Sequence, residues 1–287
     1  MKARAFFPTK RASRLFAGAV AVLLVSAAFS GPAWAITGGE VDQNNTYRNV
    51  GAMVYAPPGS EPIVAHSGTL IHPRVVLTAG HCTIYSQQHP ELTPDCYFSF
   101  GKNAFDPSTW LEIEAFITYP NYEPIPEQSP HDVGVIILKE PICNVPLANL
   151  PYAGFLDDLK KAKLLRQPDQ GGAPFTVAGY GSTLDRPPPV ITAGDGWRRF
   201  ADSDYLALLP GWLLAQQNFA TGNGGTGFGD SGGPAFWIEP DGTRVLVGIT
   251  SWGDPNCVAM NFYWRVDIPE TLDFIDWVIN TVLPSLP

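Results

Sequence analysis

The chain has 287 residues, enough for one large domain or two small ones. Hydrophobic residues make up 45% and charged residues 16%, so a substantial core can be buried. The net charge is −9 with no basic stripe, which argues against a nucleic-acid partner.

The first 35 residues stand apart from the rest. Lys2, Arg4, Lys10, Arg11 and Arg14 form a basic start, and Phe16 to Phe29 is an uncharged run of 14 mostly apolar residues. Ala33-Trp34-Ala35 then offers an A-x-A cleavage site. Spanning a bilayer takes about 20 apolar residues, so residues 1–35 read as a secretory signal and the mature chain as exported and free of the membrane. The basic leader has a bacterial look. Cleavage after Ala35 would make Ile36 the first residue with no separate propeptide, an expectation that N-terminal sequencing tests. The remaining chain holds 13 Lys+Arg against 27 Asp+Glu, a net charge of −14 that suits an extracellular or periplasmic protein.

From Ile36 onward, short apolar or alternating runs are punctuated by turn residues, in a chain with 28 glycines and 28 prolines in all. The runs Val50 to Tyr55, Ser67 to Ile71, Val75 to Thr78, Cys96 to Phe100 and Val133 to Leu138 read as strands. So do Phe175 to Gly179, Ala235 to Ile238, Val245 to Ser251 and Phe262 to Val266. Glu123 to Pro130 and Asp185 to Trp197 read as loops, and Asp157 to Lys163 as a short helix or a linker. Near the end, Leu272, Ile275, Val278 and Val282 repeat at helical spacing behind a capping-box-like Asp267-Ile268-Pro269-Glu270. The pattern predicts an all-β barrel or sandwich closed by a C-terminal packing helix.

Three motifs carry chemistry. Gly229-Asp230-Ser231-Gly232-Gly233-Pro234 places a serine among glycines that let backbone and substrate approach closely. A serine hydroxyl becomes a nucleophile only with a base and an oxyanion site. The bland reading is a Gly-rich turn that happens to hold a serine. Leu77-Thr78-Ala79-Gly80-His81-Cys82 follows an apolar strand, and His131-Asp132-Val133-Gly134-Val135-Ile136 sets an aspartate before another. Each alone is more often structural. The serine string also fits the nucleophile elbow of α/β-hydrolases, but those need a histidine after the serine. All five histidines precede Ser231.

Taken together, the order His81, Asp132, Ser231 resembles the trypsin/chymotrypsin family of serine proteases. Ile36-Thr37-Gly38-Gly39, Ser67-Gly68-Thr69-Leu70-Ile71, Gly179-Tyr180-Gly181 and Gly248-Ile249-Thr250-Ser251-Trp252-Gly253 resemble further family motifs, in family order. The resemblance spans nearly all of residues 36–287. It implies a chymotrypsin-like fold of two packed six-stranded antiparallel β-barrels with a C-terminal helix, one barrel in 36–152 and the other in 153–287. It implies a secreted, monomeric endopeptidase without cofactor or metal, acting on protein or peptide substrates and open to protein inhibitors.

Residue by residue, the resemblance makes Ser231 the nucleophile, His81 the general base and acid, and Asp132 its orienting carboxylate. The backbone N–H groups of Gly229 and Ser231 would form the oxyanion hole. Ser251 would contact the buried aspartate, and Ser251, Trp252 and Gly253 would pair with substrate as an added strand. Asp230 would pair with the new α-ammonium of Ile36. Gly225 stands where trypsin-type enzymes carry a pocket aspartate, so a neutral, apolar side chain is expected before the scissile bond. Asn261 would sit on the pocket wall.

The four cysteines, Cys82, Cys96, Cys143 and Cys257, have no C-x-x-C spacing that would suggest zinc. The family bridge next to the catalytic histidine lacks its partner, because His66 occupies about that place. Cys82 with Cys96 is the expected pair, and Cys257 is left open between pairing with Cys143 and standing free. Rival readings are a catalytically silent binding protein on a protease scaffold and an esterase of the same fold.

Overall fold

In the computed structural model, which describes residues 36–124, 130–185, 190–192 and 194–286, the punctuated apolar runs become antiparallel strands. The expected signal segment lies outside the described residues. After a short β1 (Glu40–Val41) come β2 (Val50–Tyr55), β3 (Ile63–His72), β4 (Val75–Thr78), β5 (Cys96–Ser99), β6 (Trp110–Thr118) and β7 (Gly134–Leu138). These six close a barrel in the order β2-β3-β4-β7-β6-β5. Then follow β8 (Pro174–Gly179), the small antiparallel pair β9 (Thr183–Asp185) and β10 (Val190–Thr192), β11 (Arg199–Leu208), β12 (Trp212–Gln216), β13 (Pro234–Ile238), β14 (Arg244–Gly253) and β15 (Met260–Arg265). The order β11-β12-β15-β14-β13-β8, with β8 returning to β11, closes the second barrel, and β1 adds to β11.

Strand periodicity divides the core. In β7, Ile136 and Leu138 point into the first barrel beside Leu70, Val76 and Phe98. Val135 and Ile137 point the other way, into the layer that meets Tyr180, Phe236 and Leu246 of the second barrel. Burying such a side chain contributes roughly 1.5–3 kcal/mol. The second barrel fills with Phe175, Val177, Leu213, Val247 and Tyr263, together with Ile36. A fully buried Arg198 ties the barrels together. Its Nε donates to Asp42 at 2.9 Å, and its Nη1 donates to the Val50 and Phe100 carbonyls at 3.1 and 3.2 Å.

Among the described residues three α-helices accompany the barrels. These are α1 (Gly80–Gln88), α2 (Phe155–Lys161) and α3 (Pro269–Trp277). Helix α2 fits the short helix expected near Asp157. The expected capping box does not form at α3. Its N-cap is Ile268, without a side-chain cap bond. Asp267 is drawn inward instead, where it binds Arg265 at 2.9 Å and accepts from the Leu156 amide at 2.8 Å. The segment Asp185 to Trp197, read as a loop, contains β10, paired with β9. Among the described residues no helix is long and apolar enough to cross a membrane.

Candidate active site

Strand register brings the histidine and the aspartate together. β4 and β7 pair with Thr78 opposite Gly134. His81 lies three residues past Thr78, in the first turn of α1, and Asp132 lies two residues before Gly134. Side by side, they bond twice. The His81 amide donates to Asp132 Oδ1 at 2.8 Å, and His81 Nδ1–H donates to Asp132 Oδ2 at 2.9 Å. The second barrel contributes Ser251 from β14, whose hydroxyl donates to the same Oδ2. Asp132 is 1% exposed, so each acceptor bond offsets part of its desolvation.

Ser231 sits in the turn before β13. The Ser67 amide donates to the Ser231 carbonyl at 2.8 Å, and the Gly232 amide donates to the Thr250 carbonyl at 2.8 Å, which fixes the turn between the barrels. Gly232 has φ 80° and Gly229 φ 94°, values that favour glycine. A Cβ on Gly232 would overlap Thr78 Oγ1. Among the described residues, neither the Gly229 nor the Ser231 amide donates to a protein acceptor. Two such free donors flanking a serine can receive a developing oxyanion.

His81 and Ser231 line two cavities at once. One, of about 400 Å³, is also lined by Thr226, Ser251, Trp252, Gly253, Asp254 and Asn261. The other, of about 420 Å³, is also lined by Met53, Tyr55, His66, Cys82, Tyr85 and Cys96. The pair therefore stands where the two cavities meet. Burial lowers the basicity of His81, but the Cys82 thiolate and the Asp132 carboxylate outweigh it and hold its pKa well above 6.5.

Asp230 is fully buried behind the serine. Its Oδ1 accepts from the Gly181 amide at 2.8 Å and its Oδ2 from the Gly227 amide at 2.9 Å. Burial raises its pKa from 3.8 to about 7 against the pull of these donors. Side chains on Gly179 or Gly181 would run into this carboxylate, which accounts for the Gly-Tyr-Gly string. Ile36 is fully buried in the core of the second barrel, and Thr37 exchanges backbone hydrogen bonds with Gly225 at 2.8 and 3.0 Å. Ile36 is still joined to Ala35, and among the described residues no ion pair joins it to Asp230.

Gly225, the expected pocket floor, lines neither of these two cavities, and its surroundings are more crowded than a glycine suggests. A Cβ at Gly225 would overlap Cβ and Oε1 of Gln217, a residue in no motif. Asn261 is 2% exposed and turned toward this floor. Its Nδ2 donates to Gln217 Oε1 at 2.6 Å and to the Thr226 carbonyl at 3.1 Å. Gln217 Nε2 in turn reaches Asp254 at 3.2 Å. This amide network was invisible in sequence, because its members lie 37 and 44 positions apart. Trp252 stacks on Phe262 with ring centroids 3.6 Å apart, forming an aromatic wall beside Ser251.

The expected Cys82–Cys96 bridge is not formed. All four cysteines carry free thiols. Cys96 donates its thiol to the Leu92 carbonyl at 3.3 Å, while Cys82 lies within the field of two imidazoles. Cys257 is buried and likewise unbridged.

The sequence profile of the Trypsin family matches residues 58–278. Among curated relatives, the chain is 28% identical to a hepatocyte growth factor activator serine protease of Canis lupus familiaris, over 79% of this chain and 36% of that protein. It is 27% identical to the phenoloxidase-activating enzyme of Bombyx mori, over 76% of this chain and 54% of that enzyme. It is 28% identical to coagulation factor XII of Sus scrofa, over 72% of this chain and 35% of that protein. The chain thus spans about a third to a half of the length of these relatives, with shares of 36%, 54% and 35%. All three are animal proteins, which lends no support to the bacterial reading of the leader. The profile match and the barrel pair together place the chain in the trypsin family of serine proteases.

Proposed function

We propose that the protein is a secreted serine endopeptidase that cleaves peptide bonds through an acyl-enzyme, with His81, Asp132 and Ser231 as its triad. The observation that carries this reading is the doubly bonded His81–Asp132 pair, braced by Ser251 from the other barrel, with His81 lining both cavities together with Ser231. His81 takes the Ser231 proton as the hydroxyl attacks the scissile carbonyl, and later gives it to the leaving amine. Asp132 fixes the tautomer in which Nδ1 carries the proton and Nε2 is free to act. The Gly229 and Ser231 amides receive the oxyanion. The substrate strand lies along Ser251, Trp252 and Gly253, with its side chain directed at Gly225.

Specificity follows from the floor. Gly225 offers a substrate Lys or Arg no carboxylate, the amides of Gln217 and Asn261 are committed to each other, and the Asp254 carboxylate on the cavity wall already accepts from Gln217 and from the Val258 and Ala259 amides. A neutral side chain fits better. Activation follows the family scheme: cleavage after Ala35 frees the Ile36 ammonium, which pairs with Asp230 and secures the turn that holds Gly229.

The test is hydrolysis of a peptide library by protein whose N-terminus has been read as Ile36, with Ser231→Ala beside it. Turnover after neutral residues that falls about 10⁴–10⁶-fold in the variant supports the reading. Cleavage after Lys or Arg contradicts the pocket argument. Ester turnover without peptide turnover favours an esterase, and no turnover favours a binding protein.

A further inference from the structure

The cavity of about 420 Å³ beside Ser231 holds groups that the proposed mechanism does not use. Cys82 follows the catalytic histidine on α1, and His66 faces it from β3; both line the cavity. His66 is 4% exposed. Its Nδ1 lies 3.3 Å from the Ser67 carbonyl and 3.3 Å from Thr78 Oγ1. The Thr78 hydroxyl proton is already given to the Ser67 carbonyl at 2.8 Å, so both neighbours of Nδ1 are acceptors. Nδ1 therefore carries the imidazole proton and Nε2 carries the lone pair. That Nε2 is buried without a hydrogen-bond partner, in a chain where most buried polar atoms are satisfied. An unpartnered base beside a thiol, both on the wall of one cavity, is the arrangement that activates cysteine nucleophiles.

We propose that Cys82 is a modification site for small uncharged disulfides and related soft electrophiles, with His66 Nε2 as its base, and that the adduct fills the cavity next to Ser231 and stops turnover. The exchange balances without any further reagent. His66 Nε2 takes the Cys82 proton, and the sulfur attacks one sulfur of the incoming disulfide. The S–S bond breaks, a Cys82–S–S–R bond forms, and the departing thiolate leaves with the electron pair. It takes the proton back from His66, so one thiol is released for each adduct formed. Excess small thiol runs the exchange backwards and restores the free cysteine.

Three features direct the chemistry to this thiol. The cavity is lined by Met53, Ile63, Tyr85 and Leu92, so an uncharged, compact reagent fits it. Burial pushes the Cys82 thiol up, but the charges of His66 and His81 prevail and bring it to about 6. Burial pushes Cys96 and Cys257 up to about 11, so neither competes. The titratable groups around Cys82 are His66 on β3, His81 and Tyr85 on α1 with Asp132 behind His81, Tyr55 on β2, and His89 and Cys96 across the cavity.

Only the loss of turnover rests on the endopeptidase reading; the adduct does not. The test treats protein whose N-terminus has been read as Ile36, reduced and freed of reductant, with bis(2-hydroxyethyl) disulfide from mildly acidic to alkaline pH. The adduct is located by peptide mass spectrometry, and turnover is followed in parallel. Labelling is expected at Cys82 ahead of Cys96 and Cys257, with its rate half-maximal near pH 6. Near that pH it should run about tenfold faster than an unperturbed thiol of equal access, after allowing for the weaker nucleophilicity of a low-pKa thiolate. Turnover should fall in step and return with excess thiol. Cys82→Ala, referred to its own untreated rate, should be insensitive. His66→Phe should move the labelling profile to higher pH and slow it about tenfold near pH 6. Labelling confined to Cys143, an internal Cys82–Cys96 bond without adduct, or a full Cys82 adduct with undiminished turnover would each overturn the proposal. Absence of turnover in the untreated protein leaves the mapping and its pH profile to decide the Cys82–His66 chemistry.

Discussion

Installing a carboxylate at the proposed pocket floor, Gly225→Asp, separates a pocket defined by one residue from a pocket defined by a network. Gly225 does not have a positive φ, so the backbone accepts a side chain and the obstacle is space. The new Cβ would overlap Cβ and Oε1 of Gln217, whose amide is fixed by Asn261 at 2.6 Å and Asp254 at 3.2 Å. Overpacking of this kind costs about 1–3 kcal/mol, and an unpaired buried carboxylate adds to it. In a chain of this size each kcal/mol is worth about 2–4 °C in Tm, so a drop of about 5–10 °C is expected. Cleavage after Lys or Arg should not appear. The double variant Gly225→Asp with Gln217→Gly clears the floor, and should recover much of the stability and begin to accept Arg. Thermal unfolding and a peptide library read both outcomes. A single variant as stable as the parent that cleaves after Arg would refute the account of the floor.

Three further predictions rest on the same geometry. Ser251→Ala removes a donor to the buried Asp132, and a hydrogen bond to a charged group is worth about 1.5–3 kcal/mol. It should lower kcat/KM about 10–100-fold, whereas an unchanged value would detach Ser251 from the triad. Because only neutral His81 can act as base and its pKa is held well above 6.5, kcat/KM should rise with pH through a midpoint above 6.5. Cys82→Ala removes a neighbouring negative charge, so the midpoint should fall; a midpoint that ignores the substitution contradicts the coupling. Burial of Asp230 raises its carboxyl from 3.8 to about 7. In protein with the Ala35–Ile36 bond intact the unfolded state gives up this proton first, so stability present below pH 4 is lost as pH rises through 7. The loss is about 4 kcal/mol from about three pKa units. Cleavage after Ala35 should flatten this profile, and identical Tm–pH curves before and after cleavage would argue against the Ile36–Asp230 pair.

Much of the fold could be read where one face of a strand is apolar and turn residues bound it, as in β2 and β4, whose limits match the expected Val50 to Tyr55 and Val75 to Thr78. Strands β6, β11 and β12 were not legible. Glu112 and Glu114 on β6, and Asp202 and Asp204 on β11, keep the alternation of a half-exposed strand, but their charges interrupt the continuous apolar runs by which the other strands are recognised. The proposed triad could be read because each member sits in a short local motif. The floor could not, since Gln217, Asn261 and Asp254 meet only through strand pairing, with Ala215 opposite Asn261. The Cys82–Cys96 expectation was drawn from spacing and resemblance. Spacing carries no information on where a thiol points, and here Cys96 turns to Leu92.

The most direct test of the triad is covalent labelling with an uncharged fluorophosphonate, on protein that begins at Ile36, followed by peptide mass spectrometry. One phosphonyl group on Ser231, strongly reduced in His81→Ala and reduced in Asp132→Asn, is the predicted result. Labelling on another serine, or equal labelling of Ser231 in the His81→Ala variant, would contradict the claim that His81 and Asp132 activate it.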